Sequence, residues 1–233
     1  MSTYVIIGAS SGIGRQLATN LVAAKHRVYG TYNKHPGSSS DELLSLHSLD
    51  VLGDDFHLEF LPDVIDGLVY CPGSINLRPF NRLKAEDFVN DFRLQVAGAI
   101  KMIQALLTKL RGGQNPSILL FSTVAVQTGM PFHSQVAASK GAIEGLTLAL
   151  AAEFAPLIRV NCIAPSLTDT SLAEALLNTP EKRTASALRH PLKRTGVPDD
   201  IANLAEFLLS GKAGWITGQI MHVDGGMSTL KVS

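Results

Sequence analysis

Cysteine is scarce in this chain: 233 residues carry only Cys71 and Cys162. Two thiols at that spacing make neither a disulfide framework nor a metal-binding pattern, which points to a reducing, cytoplasmic setting. Charge of one sign is equally lacking, since 20 basic side chains balance 20 acidic ones. Nothing in that balance favours nucleic acid or an anionic membrane as a partner. No apolar run approaches the 18 or so residues that a membrane helix needs. The start, MSTYVIIGAS, has no basic leader and reaches glycine by residue 8, so it reads as a first strand and not a signal peptide. Repeats, low-complexity tracts and linkers are also missing, so one domain spanning 1–233 is expected.

Present instead are short apolar runs alternating with helix-length amphipathic segments, the pattern of βαβ units around a parallel sheet. Strands are expected at 4–7, 27–32, 46–51, 67–70, 117–121, 158–163 and 219–223. Helices are expected at 13–24, 85–110, 135–154 and 199–210. A further helical stretch over 168–189 is interrupted by Pro180, and the polar run NKHPGSSSDE is a turn cluster. The fold class that follows is α/β: a Rossmann-type, doubly wound parallel sheet in three layers. Length supports it, because such folds reach this size around a single large core.

Between the first strand and first helix stands G-A-S-S-G-I-G, residues 8–14. Gly8 lets the chain leave the strand in a tight turn, Gly12 lets backbone approach a pyrophosphate, and Gly14 lets the helix pack closely on the sheet. Free N–H groups of the turn and the helix start, over Ser10, Ser11 and Ile13, then face the anion. The spacing is GxxxGxG, and its place between strand and helix points to a bound dinucleotide. An acid about 20 residues past the glycines would bind the ribose 2′-hydroxyl of NAD. Here the second strand ends Thr31-Tyr32-Asn33-Lys34-His35, with no acid before Asp41. Asn33 and Lys34 could take a 2′-phosphate, with Arg15 as a second candidate, so NADP is favoured while NAD stays possible. Alternatively, Lys34 is only a solvated loop charge.

These motifs resemble the short-chain dehydrogenase/reductase family along nearly the whole chain. GASSGIG is similar to its cofactor turn, and Asp50-Val51 to its adenine-contacting aspartate and the next residue. Cys71-Pro72-Gly73 sits where the family has N-A-G. The stretch R-V-N-C-I-A-P, 159–165, resembles the strand before its substrate loop, and the block RTGVPDDIANLAEFLLSGKAGWITGQIMHVDGG resembles its C-terminal region. The resemblance implies cofactor contacts from Pro165, Thr168 and Thr170 and from Lys140. It also implies catalysis by an Asn–Ser–Tyr–Lys set, in which tyrosine passes a proton to or from the substrate oxygen.

Only part of that set is here. Lys140 is present. Thr123, with Ser122 adjacent, stands at the serine position, and Gln95 stands where the family has asparagine. The tyrosine position is Val136, which has no proton to give. General acid catalysis contributes roughly 10²–10⁴-fold, less than positioning can supply, so slow turnover on a small carbonyl or alcohol could survive. Tyr70, His133 and Ser134 are alternative proton donors, with plain structural roles as the other reading. The alternative function is an inactive NADP(H)-binding structural or sensing protein. Small residues on the Lys140 helix (Ala137, Ala138, Gly141, Ala142, Gly145) leave a bare face, either for a homodimer or homotetramer contact or for core packing. Leu172, Leu176 and Leu177 either line an apolar pocket or form the buried stripe of a small helix.

Overall fold

Seven strands form one all-parallel sheet in this computed structural model, which describes residues 1–37 and 41–231. Ser38–Ser40, part of the turn cluster expected after the second strand, lie outside the described residues. In chain order the elements are β1 (Thr3–Ile7), α1 (Gly12–Ala23), β2 (Arg27–Tyr32), β3 (Leu44–Ser48), β4 (Gly67–Tyr70), α2 (Ala85–Phe92), α3 (Gly98–Arg111), β5 (Ser117–Phe121), α4 (Ala125–Thr128), α5 (Ser134–Phe154), β6 (Arg159–Pro165), α6 (Glu174–Leu177), α7 (Pro180–Leu188), α8 (Pro198–Leu209) and β7 (Ile220–Val223). The strand order is β3-β2-β1-β4-β5-β6-β7. Order reverses between β1 and β4, where neighbouring strands send their crossovers to opposite faces and leave a crevice at their carboxyl ends.

Burial follows from the crossovers. β1, β4, β5 and β6 are almost wholly buried, as strands covered on both faces must be. One face packs α1 and α8 through Leu17, Leu21, Ile201 and Leu208. The other packs α3 and α5 through Met102, Leu106, Ile143 and Phe154.

Four local expectations need correction. β3 ends at Ser48 and not at Val51, because register with β2 closes at Tyr32↔Ser48 and residues 50–53 turn away. The helix expected over 85–110 is broken at Arg93–Ala97 by a widened π turn, so α2 and α3 are joined by five residues whose side chains are re-aimed. Thr168 is not helical: it pairs with Gly196 in an isolated parallel bridge. Pro180 opens α7 instead of interrupting a helix, at a first-turn position where its missing N–H costs nothing, with the Thr179 hydroxyl capping Lys182 N–H at 3.3 Å. Other ends differ by a residue or two, and the short α4 carries no strong periodic signal.

Candidate active site

A cleft of about 1520 Å³ opens along the carboxyl ends of the strands, from the β1–α1 turn to the loop after β6. Of the alternative proton donors it contains only His133, and of the expected catalytic and cofactor-binding residues it contains all except one. Asp50 is exposed and does not line it; its carboxylate instead accepts the Leu52 N–H at 3.0 Å and caps its own turn, while Leu49 and Val51 reach the cleft.

At one end the surface is backbone. Gly8 has φ +82°, which releases the chain from β1, and its N–H donates to the Thr31 hydroxyl at 3.1 Å. A β-carbon on Gly14 would lie 2.2 Å from the Gly8 carbonyl oxygen, so α1 sits this close to the strand only with glycine there. Ser11 caps α1 in extended geometry, and its side chain makes no capping bond to the helix N–H groups. Those donors and the positive end of the helix dipole face the cleft, as an anion site requires. Thr170 packs its methyl group over Gly12, folding the loop after β6 across the glycine turn. Beyond β2, Asn33 and Lys34 are exposed and line the same end, as does Arg15.

At the other end the surface is side chain. Lys140, on α5, is partly buried among Cys71, Cys162 and Asp91. Burial lowers its pKa to about 8, against the pull of the nearby negative or ionisable groups. Burial in turn pushes both thiols up to about 12, so neither is a poised nucleophile. The Gln95 amide nitrogen donates to both oxygens of Asp91 at 2.8 Å, which leaves its Oε1 buried and without a partner among the described residues. That oxygen and Lys140 Nζ converge on Gly73, at 3.4 and 3.8 Å from where its β-carbon would stand. Asp91 also accepts from Ser139 Oγ at 2.6 Å and from Ser74 Oγ. This carboxylate hub was not anticipated, although its i, i+4 spacing to Gln95 on one helix path could have flagged it.

The hydroxyls divide. Ser122 is buried and donates to Glu144 Oε1 at 2.6 Å. Thr123 is half-exposed and lines the cleft, with one weak bond from Ala125 N–H at 3.4 Å. Val136 is 8% exposed and contributes only methyl groups.

Of the alternative proton donors, Tyr70 is overturned. It is buried away from the cleft, its hydroxyl donates to the Leu94 carbonyl at 2.6 Å, and burial pushes its pKa well up. Ser134 does not line the cleft either, while His133 does, with Nδ1 2.7 Å from the Pro131 carbonyl oxygen. Two residues not singled out from the sequence also lie here: Ser166 and His190, 2.9 Å apart. The apolar residues of the loop divide too. Leu172 and Leu176 line the cleft, whereas Leu177 is fully buried.

The charge of the lining is one-sided. Arg15, Lys34, Lys140, Lys182 and Arg189 reach it, and among the described residues no Asp or Glu does. In a chain of zero net charge this concentrates positive potential where a polyanion would lie. A glycine cradle, unclaimed helix N–H groups, an orphaned Gln95 oxygen and a carboxylate-free wall together fit a dinucleotide.

A family model described as enoyl-(acyl carrier protein) reductase matches residues 8–228. The chain is 30% identical over 250 residues to the 3-oxoacyl-(acyl-carrier-protein) reductase FabG of Thermotoga maritima, with 96% of each chain covered. Among solved structures, the ligand-free aldohexose dehydrogenase of Thermoplasma acidophilum superposes with a TM-score of 0.91 at 27% identity, covering 100% of this chain and 96% of that one. ElxO with NADP bound superposes with a TM-score of 0.85 at 25% identity, covering 99% of this chain and 100% of the other.

Proposed function

This chain belongs to the short-chain dehydrogenase/reductase family of oxidoreductases, and from that premise we propose that it is an NADP-dependent enzyme acting on a small carbonyl or alcohol substrate. The observation that carries the reading is the cleft itself, which joins a phosphate-binding glycine turn to Lys140 and Thr123 without a carboxylate on its walls. A 2′-phosphate beside Lys34 and Arg15 would meet no repulsion there, whereas NAD selection calls for an acid at the end of β2. The NADP-bound relative lends the same preference support.

When bound, the nicotinamide supplies or takes the hydride. The glycine turn and the α1 N-terminus would hold the pyrophosphate, and Val51, Pro72, Gly73, Pro165, Thr168 and Thr170 would wall the rest. Lys140 remains largely an ammonium at neutral pH and is the group placed to hold ribose hydroxyls. Thr123 would orient the substrate oxygen. Gln95 turns its free Oε1 toward the Lys140 side, and the Asp91 hub fixes that orientation by taking both bonds of the amide nitrogen. We read residues 1–233 as one dinucleotide-binding domain. The α5 face with Ala138, Gly145 and Leu148 is exposed, and Gly145 has nothing within 4 Å of an added β-carbon. This favours contact with a second copy over core packing, and sedimentation should give a dimer or tetramer.

Turnover of NADPH against a panel of small ketones, aldehydes and β-keto thioesters tests the reading. Lys34→Ala should raise KM for NADPH about tenfold and leave NADH unaffected, the size expected for one charge-assisted contact. Val136 favours a second reading, an NADP(H)-binding protein without turnover. Tight NADPH binding with no reaction in the native chain, and reaction only in Val136→Tyr, would select it.

A further inference from the structure

Moving a hydride between carbon and nicotinamide requires a proton to enter or leave at the substrate oxygen, and Val136 cannot carry it. Ser166 and His190 lie 24 positions apart in sequence, and both line the cleft. His190 is 2% exposed, and its side chain lies beside Gly225 from the loop after β7. Its Nδ1 lies 2.8 Å from the Ser186 carbonyl oxygen. A carbonyl only accepts, so Nδ1 carries the hydrogen, and the neutral ring leaves Nε2 as an acceptor. The Ser166 hydroxyl, 2.9 Å away, therefore donates to Nε2. A serine held by an imidazole whose far nitrogen is fixed by a third group is the arrangement that activates an oxygen for proton transfer.

Its place suits the task. The Ser122 N–H donates to the Ile163 carbonyl at 2.8 Å, and the Val124 N–H to the Pro165 carbonyl at 3.2 Å. The β5–β6 pairing thus continues past the strand ends and sets Thr123 beside the Pro165–Ser166 corner. The loop is pinned behind it by Gly196 N–H to Leu167 at 3.0 Å and Asp169 N–H to Gly196 at 2.9 Å.

We propose that Ser166 and His190 are the proton relay of this site, taking the role for which Val136 has no group. The proposal rests on the oxidoreductase reading above. In alcohol oxidation, a bound nicotinamide would take the C–H hydride, and the O–H electron pair would close the carbonyl. The alcohol proton passes to Ser166 Oγ as the serine proton passes to His190 Nε2, and once product has left, the proton returns through Ser166 Oγ to water in the cleft. Reduction runs the same transfers backwards. Ser166 is the catalytic residue and His190 the positioning and proton-storing residue behind it.

Two measurements on the full chain decide this. The first, on protein without cofactor, is the ¹⁵N spectrum of the histidine rings at neutral pH, assigned with His190→Asn. His190 should show the Nδ1–H tautomer with a hydrogen-bonded Nε2, and an Nε2–H tautomer overturns the relay. The second compares turnover in Ser166→Ala and His190→Asn, the latter keeping a donor toward Ser186. Each should lower kcat by about 10²-fold while KM and NADPH affinity stay within about twofold. In a Val136→Tyr background the same changes should cost little, which a merely structural role would not allow. If Ser166→Ala keeps native kcat, or if His133→Gln causes the loss instead, the relay is wrong and the oxidoreductase reading stands. If the native chain is inert and Val136→Tyr turns over, the relay fails while the cofactor and substrate sites survive. Inertness of both overturns the relay and the oxidoreductase reading together.

Discussion

At the β1–α1 end of the cleft the ligand-facing surface is main chain, with N–H groups around Gly8, Gly12 and the start of α1, braced by a Gly14 that tolerates no β-carbon. At the β5–β6 end it is side chain: Lys140, Gln95, Thr123, Ser166 and His190, with Val136 among them. The first end depends on conformation, so few residue types can serve there. The second depends on functional groups that several residue types, from several places in the chain, can supply. Substitution can therefore rewrite the reaction end while the binding end stays recognisable.

The largest expected effect is a break at the binding end. Gly14→Ala places a methyl group against the Gly8 carbonyl, which is backbone and cannot swing away. Overpacking of this kind costs about 1–3 kcal/mol or more, so Tm should fall by roughly 5–10 °C in a scanning calorimeter. NADPH binding, followed by fluorescence titration, should be lost. At the reaction end, Asp91→Ala strands the Gln95 amide and two hydroxyls in a buried setting. A loss of about 2–3 kcal/mol in denaturant unfolding is expected, with kcat falling more than NADPH affinity. Equal damage to NADPH affinity in both variants would erase the distinction between the two ends.

The third effect is smaller and concerns Lys140. Burial lowers its pKa to about 8 from an ordinary 10.5, so between those values the unfolded chain binds more protons than the folded one. Folding stability from this group therefore rises with pH through that window. Between pH 7.5 and 9 the gain should be about 1 kcal/mol in the protein without cofactor, and Lys140→Met should lack it. The paired comparison cancels the two thiols, whose raised values act in the opposite direction at higher pH.

The geometry of the β1–α1 end was legible because its signals are local: seven consecutive residues form the glycine turn, and Asn33 and Lys34, with no acid beside them, follow directly on β2. The strands were legible as apolar runs, and the α/β alternation carried the doubly wound order. At the β5–β6 end, spacing on one helix foretold only that Val136 and Lys140 would share the cleft. The Asp91 hub draws Ser139 from 48 positions away, and Ser166 meets His190 through a loop whose path no periodicity encodes. Tyr70 misled for a related reason. Its position at the end of β4 is near the cleft, but whether its hydroxyl points outward depends on packing under Gly98, where a β-carbon would strike it at 2.3 Å. Asp50 was likewise near in sequence to Val51 and yet bound to its own turn.

The carboxylate-free wall also bears on kinetics. All 20 acidic side chains stand outside the lining, while five of the 20 lysines and arginines stand in it, so a molecule of zero net charge is electrically lopsided. An approaching polyanion is steered by that local field and not by the total. The association rate of NADPH should accordingly drop as salt is raised past the point where the screening length, about 10 Å at 0.1 M, becomes shorter than the cleft. On that reading, ionic strength should govern how often a cofactor finds the mouth, and the glycine turn how long it stays.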